Sequence, residues 1–222
     1  MSACDPHLGP VERALIFDFD GVLADSLEIF EACVQAACRE TGVPSPADRA
    51  AFLRLFDGNM FAGLRQVGVR ENDMPALIAA LRRHLESRAV ECRLWPGMAG
   101  VLARLSETSA IFVVTSGIAS VVAGVLQRHG VTGVRRILGA EEGTSKVAKI
   151  RVAALACPGA NIYYVGDTCG DMLEGREAGA CTIAAAWGWH DAVRLRATQP
   201  DHLLHTPAEL TALFVKGKGK IA

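Results

Sequence analysis

Two aspartates separated by a single residue, Asp18 and Asp20, carry the strongest chemical signal in the sequence. They come at the end of an apolar run, residues 14–19, that predicts a buried β-strand. Because side chains two positions apart share one face of a strand, both carboxylates project the same way. At a separation of about 4 Å they would repel by roughly 4 kcal/mol at an effective dielectric of about 20. Such a pair usually needs a bound cation or a shared proton, unless both residues only solvate the strand end.

Polar and charged side chains follow three more predicted strands, and they are the candidates for a shared site. In chain order they are Thr115 with Ser116 and Gly117, then Lys146, and finally Asp167 with Asp171. Each also has a purely structural interpretation as a helix cap, a turn residue or a solvated lysine. Because the carboxyl ends of parallel strands meet at one sheet edge, a single crevice can collect all of these side chains. Lys149 remains an alternative to Lys146 as the lysine of that crevice.

The elements that must position these residues alternate along the chain. Short, continuously apolar runs predict strands at residues 14–19, 110–114, 136–138, 162–165 and 181–186. Helical patterns between them predict helices at residues 98–108, 119–129, 145–156 and 171–178. Strand and helix in regular succession predict right-handed crossovers and a parallel sheet, so the fold class is α/β.

A long segment after the first strand interrupts that alternation. Residues 26–95 show helical periodicity and no convincing strand, with helices predicted from residue 27, at 50–56, at 60–67 and at 74–90. The predicted organisation is a discontinuous α/β core, residues 1–25 and 96–222, with an all-helical cap domain at 26–95. A short loop, Asp57–Gly58–Asn59, joins the second and third cap helices, unless it is only a connector with ordinary turn chemistry.

Composition gives no reason to expect a nucleic acid or a membrane as partner. The formal net charge of −1 gives no electrostatic reason to expect nucleic acid. No window approaches the 18 uninterrupted apolar residues typical of a membrane span, so a membrane partner is not expected. The seven cysteines are odd in number and lack zinc or redox spacing. Together with the absence of a secretory pattern at the N-terminus, they predict a cytoplasmic protein, either monomer or homodimer.

The segment Asp18-x-Asp20-Gly21-Val22-Leu23-x-Asp25-Ser26 resembles the first motif of the haloacid dehalogenase-like phosphohydrolases. The three later groups of polar residues occur in the order of that family's other motifs, so the resemblance extends from Ala14 to Leu213. It implies a Rossmann-like core with a helical cap, in the phosphoglycolate phosphatase or β-phosphoglucomutase branch. The implied activity is Mg²⁺-dependent hydrolysis of a small phosphorylated metabolite, such as phosphoglycolate or a sugar phosphate, through an aspartyl phosphate.

The resemblance also implies roles for the catalytic residues. Asp18 is the expected nucleophile, and Asp20 is the expected acid that protonates the leaving group and later deprotonates water. Thr115 is expected to bind the phosphoryl oxygens together with the backbone after it, at Ser116 and Gly117. Lys146 is expected to neutralise charge, although the family's frequent Lys-Pro pair is Lys146–Val147 here.

The implied metal site consists of aspartates, and oxygen ligands favour Mg²⁺ over zinc. Its members are Asp18, Asp20 through its backbone carbonyl, Asp167, and Asp171 through the metal's water shell or the lysine. Asn59, on the cap loop, matches the place where family caps reach the substrate. Trp187 and Trp189 are interpreted as packing residues, and His190 as a candidate ligand contact.

Other functions remain open at this stage. The acidic residue at Asp20 disfavours dehalogenases and phosphonate-cleaving enzymes, which lack it. A phosphomutase shares every motif, and Val22, where many family phosphatases have threonine, leaves that choice open. A module that kept the fold for binding and lost turnover is the alternative from a different class, and the intact aspartates and lysine disfavour it.

Overall fold

The computed structural model describes residues 12–215, so the outermost parts of the predicted core domain, residues 1–11 and 216–222, lie outside the described residues. The described residues contain eight strands: β1 Arg13–Phe17, β2 Ala24–Asp25, β3 Arg93–Leu94, β4 Ala110–Val114, β5 Val134–Leu138, β6 Asn161–Gly166, β7 Cys181–Ala185 and β8 His202–Leu204. Six of them form one parallel sheet in the order β5-β4-β1-β6-β7-β8. The first strand therefore lies in the interior of the sheet.

Helices cover both faces of this sheet. They are α5 Met98–Ser106, α6 Ala119–Arg128, α7 Lys146–Leu155, α8 Cys169–Glu177, α9 Ala192–Ala197 and α10 Pro207–Phe214. Alternate residues of β1 belong to two separate apolar clusters: Leu15 and Phe17 pack with α5, α6 and α10, whereas Ala14 and Ile16 pack with α7. Because both faces are buried, the central strands have continuously apolar sequences.

Four further helices form a layer of their own above one edge of the sheet. They are α1 Leu27–Thr41, α2 Arg49–Arg54, α3 Met60–Val67 and α4 Met74–Arg88. Phe30 and Val34 of α1 share an apolar cluster with Leu77 and Leu81 of α4. The short antiparallel pair β2–β3 connects this layer to the sheet at both chain crossings. We call residues 26–95 the cap; that these boundaries delimit a domain stays a prediction.

The α/β fold class and the parallel sheet predicted from the sequence are confirmed. Several elements were not predicted: β8, α9 and α10, and the two-residue strands β2 and β3. These segments are too short for a periodic pattern to accumulate. Strand β5 begins earlier than predicted, at Val134. The apolar pattern missed its first residues because Arg135 and Arg136 are charged and exposed at the edge of the sheet. None of the helices within residues 12–215 combines the length and apolar character needed to cross a membrane.

Candidate active site

The nucleophile candidate Asp18 lies directly after β1, at the carboxyl edge of the sheet. Its backbone N–H donates to Val165 O at 2.9 Å, which continues the pairing of β1 with β6 by one residue. Its side chain is buried, and the carboxylate Oδ1 accepts the Phe19 N–H at 2.8 Å. The carboxylate is thus held in a fixed orientation by the backbone that follows it.

The loop after Asp18 turns sharply away from the sheet. The N–H groups of Leu23 and Ala24 both donate to Phe19 O, at 3.0 and 2.9 Å. Gly21 adopts a φ of 78°, and a Cβ at this position would lie 1.9 Å from Oδ2 of Asp167. Only glycine fits such a position, since both the backbone conformation and the close approach exclude a side chain.

Two tryptophans fix this loop from outside. The indole N–H of Trp95 donates to Gly21 O at 2.9 Å, and that of Trp187 donates to Val22 O at 3.0 Å. Asp20, half-buried in the same loop, lines the crevice above Asp18. The loop therefore presents Asp20 from a backbone whose carbonyls are tied to residues distant in the sequence.

The contacts of the two candidate lysines distinguish them. Lys146, at the first position of α7, donates from Nζ to Asp18 Oδ2 and to Asp171 Oδ1, each at 2.7 Å. Lys149 is buried and donates instead to two backbone carbonyls, Thr115 O at 2.6 Å and Gly139 O at 3.2 Å. Lys146 is the lysine that contacts the crevice carboxylates, whereas Lys149 ties α7 to the ends of β4 and β5.

Asp171 has no free lone pair facing the crevice. Its Oδ1 also accepts the Tyr164 hydroxyl at 2.9 Å. Its Oδ2 accepts the Thr168 hydroxyl at 2.7 Å and the N–H groups of Thr168 and Asp167 at 3.1 and 3.3 Å. Since both oxygens are already engaged, direct metal ligation by Asp171 does not fit this geometry. The alternative role, holding the Lys146 ammonium in place, does.

Asp167 has the opposite arrangement. Its Oδ2 accepts the Trp189 N–H at 2.7 Å, but its Oδ1 is buried and has no hydrogen-bond partner within residues 12–215. Such an atom loses hydration without compensation unless something binds it. One carboxylate oxygen from each of Asp18, Asp167 and Asp171 lies within 4.8 Å of the others, whereas the Asp20 carboxylate is not part of this group. A hard divalent cation such as Mg²⁺ fits a site whose donors are all oxygens and in which Asp167 Oδ1 is unpaired.

Burial and the closeness of the carboxylates shift the pKa values of the four aspartates of the site. Burial raises the pKa of Asp18 to about 7, although the Lys146 ammonium lowers it in part. Burial, together with the charges of Asp171 and Asp18, raises the pKa of Asp167 well above its usual value. Burial also raises the pKa of Asp20, which suits a proton donor. Burial would raise the pKa of Asp171 too, but the Lys146 ammonium and the hydrogen bonds from Lys146, Thr168 and Tyr164 together lower it.

The motif after β4 sits beside these carboxylates. Thr115 is fully buried, and its Oγ1 accepts the Gly117 N–H at 2.9 Å. Ser116 is exposed and lines the crevice. The contacts of Thr115, Ser116 and Gly117 with a phosphoryl group stay a prediction. Their position, at the same edge of the sheet as Asp18, is compatible with it.

The cap closes the crevice from above and leaves a cavity of about 50 Å³. Asn59 lines it, but its Oδ1 already accepts the Phe61 N–H at 3.0 Å and caps α3. Glu174 of α8 is a half-buried residue that also lines the crevice, and burial raises its pKa while the nearby Asn59 side chain lowers it in part. The predicted contact of Asn59 with substrate would use the amide group of its side chain, whose Oδ1 already accepts the Phe61 N–H.

A second compact group of potential ligand atoms, Asp57, Cys169 and His190, lies where the cap loop meets α8. His190 Nδ1 accepts the Cys169 N–H at 3.0 Å, and Nε2 donates to Leu53 O at 2.9 Å. Asp57 is paired with Arg194. We call this group, with Leu53 and Arg194, the cap latch. His190, a candidate ligand contact in the sequence, is thus a structural bridge, and burial lowers its pKa.

The sequence analysis assigned no role in the site to Tyr164, Glu174 or Trp189, although each of them contacts or lines it. Tyr164 occupies an apolar strand and Glu174 the middle of a helix, so neither stands out by position. Trp189 was interpreted as packing, and its ring does pack against Phe56 of the cap, with centroids 4.8 Å apart. Its backbone N–H nevertheless orients Asp167. Only the folded chain reveals these contacts.

The chain also resembles known proteins in sequence and in fold. The sequence profile of the haloacid dehalogenase-like hydrolases matches residues 15–185. A phosphoglycolate phosphatase from Synechococcus elongatus is 31% identical over 89% of this chain and 95% of its own. An N-acetylmuramic acid 6-phosphate phosphatase from Pseudomonas putida is 26% identical over 80% of this chain and 84% of its own. A haloacid dehalogenase-like hydrolase from Streptococcus pneumoniae superposes with a TM-score of 0.77 at 25% identity, over 91% of this chain and 98% of its own.

Proposed function

The chain belongs to the haloacid dehalogenase-like hydrolases and is a phosphatase of their phosphoglycolate phosphatase-like branch, and we propose that it works with Mg²⁺ through an aspartyl phosphate on Asp18. The observation that carries this proposal is the arrangement around Asp18. Its buried carboxylate is oriented by Phe19 N–H and Lys146, with Asp20 on the adjacent loop. A nucleophile, a charge-neutralising lysine and an acid therefore border one crevice.

In the first step, an Asp18 carboxylate oxygen attacks phosphorus in line, and the bond from phosphorus to the leaving oxygen breaks. Asp20, whose pKa burial raises, donates its proton to that oxygen, so a neutral alcohol departs. In the second step, Asp20 takes a proton from water, and this water attacks the phosphorus of the aspartyl phosphate. Inorganic phosphate leaves, and Asp18 regains its carboxylate.

Asp18, Asp167 and the backbone carbonyl of Asp20 would hold the cation, because Asp167 Oδ1 is a buried carboxylate oxygen that lacks a partner among the described residues. When bound, Mg²⁺ would supply positive charge that stabilises the phosphoryl oxygens in the transition state. Lys146 contributes a second positive charge through its contact with Asp18 Oδ2, and Asp171 with Tyr164 keeps its ammonium in position. Thr115 and the backbone N–H of Ser116 would bind the transferring group.

The substrate is a small phosphomonoester. Phosphoglycolate and sugar phosphates are the substrates that the sequence predicts, and the names of the relatives from S. elongatus and P. putida mention one of each kind. The phosphomutase and non-catalytic alternatives find less support, since these relatives are phosphatases. Cytoplasmic location and a monomeric or homodimeric state stay predictions.

Chemical trapping tests the covalent step directly. Enzyme mixed with p-nitrophenyl phosphate and Mg²⁺ is quenched in acid, reduced with borohydride and digested for mass spectrometry. An aspartyl phosphate at Asp18 is expected to appear as homoserine in the peptide that contains residue 18. The Asp20→Asn variant should increase the yield, because hydrolysis of the intermediate lacks its base. Turnover with no modified peptide in either protein would contradict the covalent mechanism.

A further inference from the structure

A second cavity, of about 160 Å³, lies between the cap and the core beside the crevice. Its cap wall includes Ile78, Leu81 and Leu85 of α4, and its core wall includes Val121, Val122 and Val125 of α6. Several of these side chains, such as Ile78, Leu85 and Val121, are only half-buried. The fold therefore leaves apolar surface uncovered on both sides of this space, where a ligand could remove it from water.

The cavity adjoins the catalytic crevice. Asp20, Phe30, Met60, Phe61 and Ser116 line both spaces. The shared wall contains Asp20, the residue proposed to protonate the leaving oxygen. A substrate whose phosphoryl group faces Asp18 would therefore extend its leaving group past Asp20 and into the second cavity.

Along α4 and α6, the walls of the cavity offer few uncommitted polar partners to glycolate or a sugar. The hydroxyl groups in the lining, those of Ser26, Ser116 and Thr144, come from other parts of the chain. Of the charged lining side chains besides Asp20, Lys149 is committed to two backbone carbonyls, and Arg88 is paired with Glu91. Arg82 and Glu86 are exposed, so they border the solvent rather than the inner wall. A carboxylate or several hydroxyls placed along α4 and α6 would lose hydration without matching partners.

We propose that this cavity receives the leaving group of the substrate, and that this group is apolar, with an alkyl or aromatic body of about six to eight carbon atoms. A cavity of about 150 Å³ lined by leucine, isoleucine and phenylalanine accommodates a benzene ring, which sets this scale. The inference rests on the proposed phosphatase function and narrows its substrate class. It places alkyl or arylalkyl phosphates ahead of phosphoglycolate and sugar phosphates.

The test measures kcat/KM for ethyl, butyl and hexyl phosphate with Mg²⁺, together with phosphoglycolate and glucose 6-phosphate. The three alkyl alcohols are similar leaving groups, so chain length reports binding rather than chemical reactivity. Each buried methylene should raise kcat/KM by about fourfold until the cavity is full. Hexyl phosphate, which has four more methylenes, should then exceed ethyl phosphate by roughly 250-fold, and exceed both polar substrates.

A substitution that fills the cavity provides the second comparison. Val121→Phe adds volume inside the cavity, and it should lower the ratio of hexyl to ethyl kcat/KM by about tenfold or more. Val152→Phe makes the same change on α7, where the side chain is 40% exposed and outside the cavity, and should leave the ratio unchanged. Ile78→Phe, on the cap wall, repeats the test if Val121→Phe does not fold.

The outcomes separate this inference from the proposed function. Equal kcat/KM for all chain lengths, or a preference for phosphoglycolate or glucose 6-phosphate, overturns the apolar assignment while the phosphatase function stands. If no phosphate ester is hydrolysed, thermal stabilisation by alkylphosphonates with Mg²⁺ is measured instead. Stabilisation that grows with chain length supports the cavity although the proposed function has failed, and stabilisation independent of length overturns the assignment.

Discussion

Two compact clusters of potential ligand atoms in this protein differ in what their atoms already bind. In the crevice, oxygens of Asp18, Asp167 and Asp171 lie within 4.8 Å of one another, as do the ligand atoms of Asp57, Cys169 and His190 in the cap latch. The crevice contains a buried carboxylate oxygen, Asp167 Oδ1, that has no partner in the described part of the chain. In the latch, both ring nitrogens of His190 and the Asp57 carboxylate have protein partners.

This difference shows that proximity alone does not create a reactive or metal-binding site. A group whose hydrogen bonds are complete gains little from a ligand, whereas a buried unpaired oxygen gains much. The crevice therefore retains the capacity to bind and react, at a cost in stability that the raised pKa values of Asp18 and Asp167 record. The latch uses its polar groups to hold the cap against α8, where Gly170 N–H also donates to Phe56 O at 3.0 Å.

The same contact explains why α8 begins with small residues. A Cβ on Gly170 would lie 2.4 Å from Gly58 O of the cap loop, so a larger residue would push the loop away. The aromatic side chains of Phe30, Phe52 and Phe56 pack around Trp189 directly beside this contact. On this side, hydrogen bonds and aromatic packing join the cap closely to the core. On the side of α6, the cap and the core are separated by the second cavity.

The largest expected effect comes from removing the nucleophile. Asp18→Asn should reduce kcat with p-nitrophenyl phosphate by at least about 10³-fold, because no carboxylate remains to attack phosphorus. It should raise the melting temperature of the metal-free protein at pH 7 and above. The pKa of Asp18 in the folded state, about 7, exceeds its ordinary value of 3.8, so ionisation of Asp18 destabilises the fold progressively as the pH rises between these values.

Circular dichroism melts between pH 4 and 8 would measure the stability part of this prediction, and Asp57→Asn in the latch is the matched control. Wild-type turnover by a folded Asp18→Asn protein would exclude the nucleophile assignment. A melting temperature unchanged across this range in both proteins would show that the crevice carboxylates are not strained by burial.

Metal removal should distinguish the two clusters next. EDTA should abolish activity and Mg²⁺ restore it, whereas Ca²⁺ should inhibit, because its larger and looser coordination shell disturbs the in-line geometry. Co²⁺, used as a spectroscopic probe, should show no thiolate-to-metal charge transfer, since the Cys169–His190 contacts already occupy the latch. Full activity of a rigorously metal-free preparation would contradict a metal site in the crevice. A thiolate band with Co²⁺ would show that the cap latch binds metal.

Breaking the latch should affect stability more than chemistry. His190→Phe keeps a ring but leaves Leu53 O and the Cys169 N–H without their partner, which should cost roughly 2–4 kcal/mol of unfolding free energy. The value of kcat should fall by less than tenfold, since His190 does not line the crevice. Cys169→Ala, which retains the backbone donor, is the control with a smaller loss. A variant as stable as the wild type, or one with activity reduced as far as Asp18→Asn, would contradict this role.

The same residue predicts a pH dependence. Burial lowers the pKa of His190 below 6.5, so the unfolded state binds this proton first as the pH falls. The stabilisation from neutral His190 is complete above pH 6.5 and is lost as the pH falls toward the lower, folded-state pKa. Denaturant unfolding at pH 7.5 and 5.5 should therefore show a smaller pH difference for His190→Phe than for the wild type.

The smallest effect is expected at the edge of the latch. Arg194 and Asp57 form an ion pair whose side chains are 27% and 50% exposed, so solvent screens their attraction. A double-mutant cycle with Arg194→Ala and Asp57→Ala should give a coupling of about 0.2–1 kcal/mol. The Arg65–Glu71 pair within the cap, which is more exposed, should give no more than that. A coupling above about 2 kcal/mol would mean that this pair, and not His190, dominates the latch.

The sequence by itself determined the family, the fold class and the edge of the sheet at which the site lies. Buried parallel strands require apolar runs, and the polar residues that end those runs, such as Asp18 and Asp167, must gather at the carboxyl edge. This inference needs no knowledge of how helices pack. It therefore succeeded for every strand that carries a motif, and it missed only short or edge elements such as β8.

The tertiary structure decided which polar atoms of the candidate site residues are already hydrogen-bonded and which remain available to a ligand. Lys146 and Lys149 lie less than one helical turn apart, and only the packing of α7 directs the first to Asp18 and the second to backbone carbonyls. Likewise, Asp171 is occupied by Lys146 and Tyr164, whereas Asp167 retains an unpaired oxygen. The latch and the second cavity combine segments more than 100 residues and more than 30 residues apart, respectively, in the sequence. Local patterns contain no information on such contacts, because they depend on how the cap docks on the core.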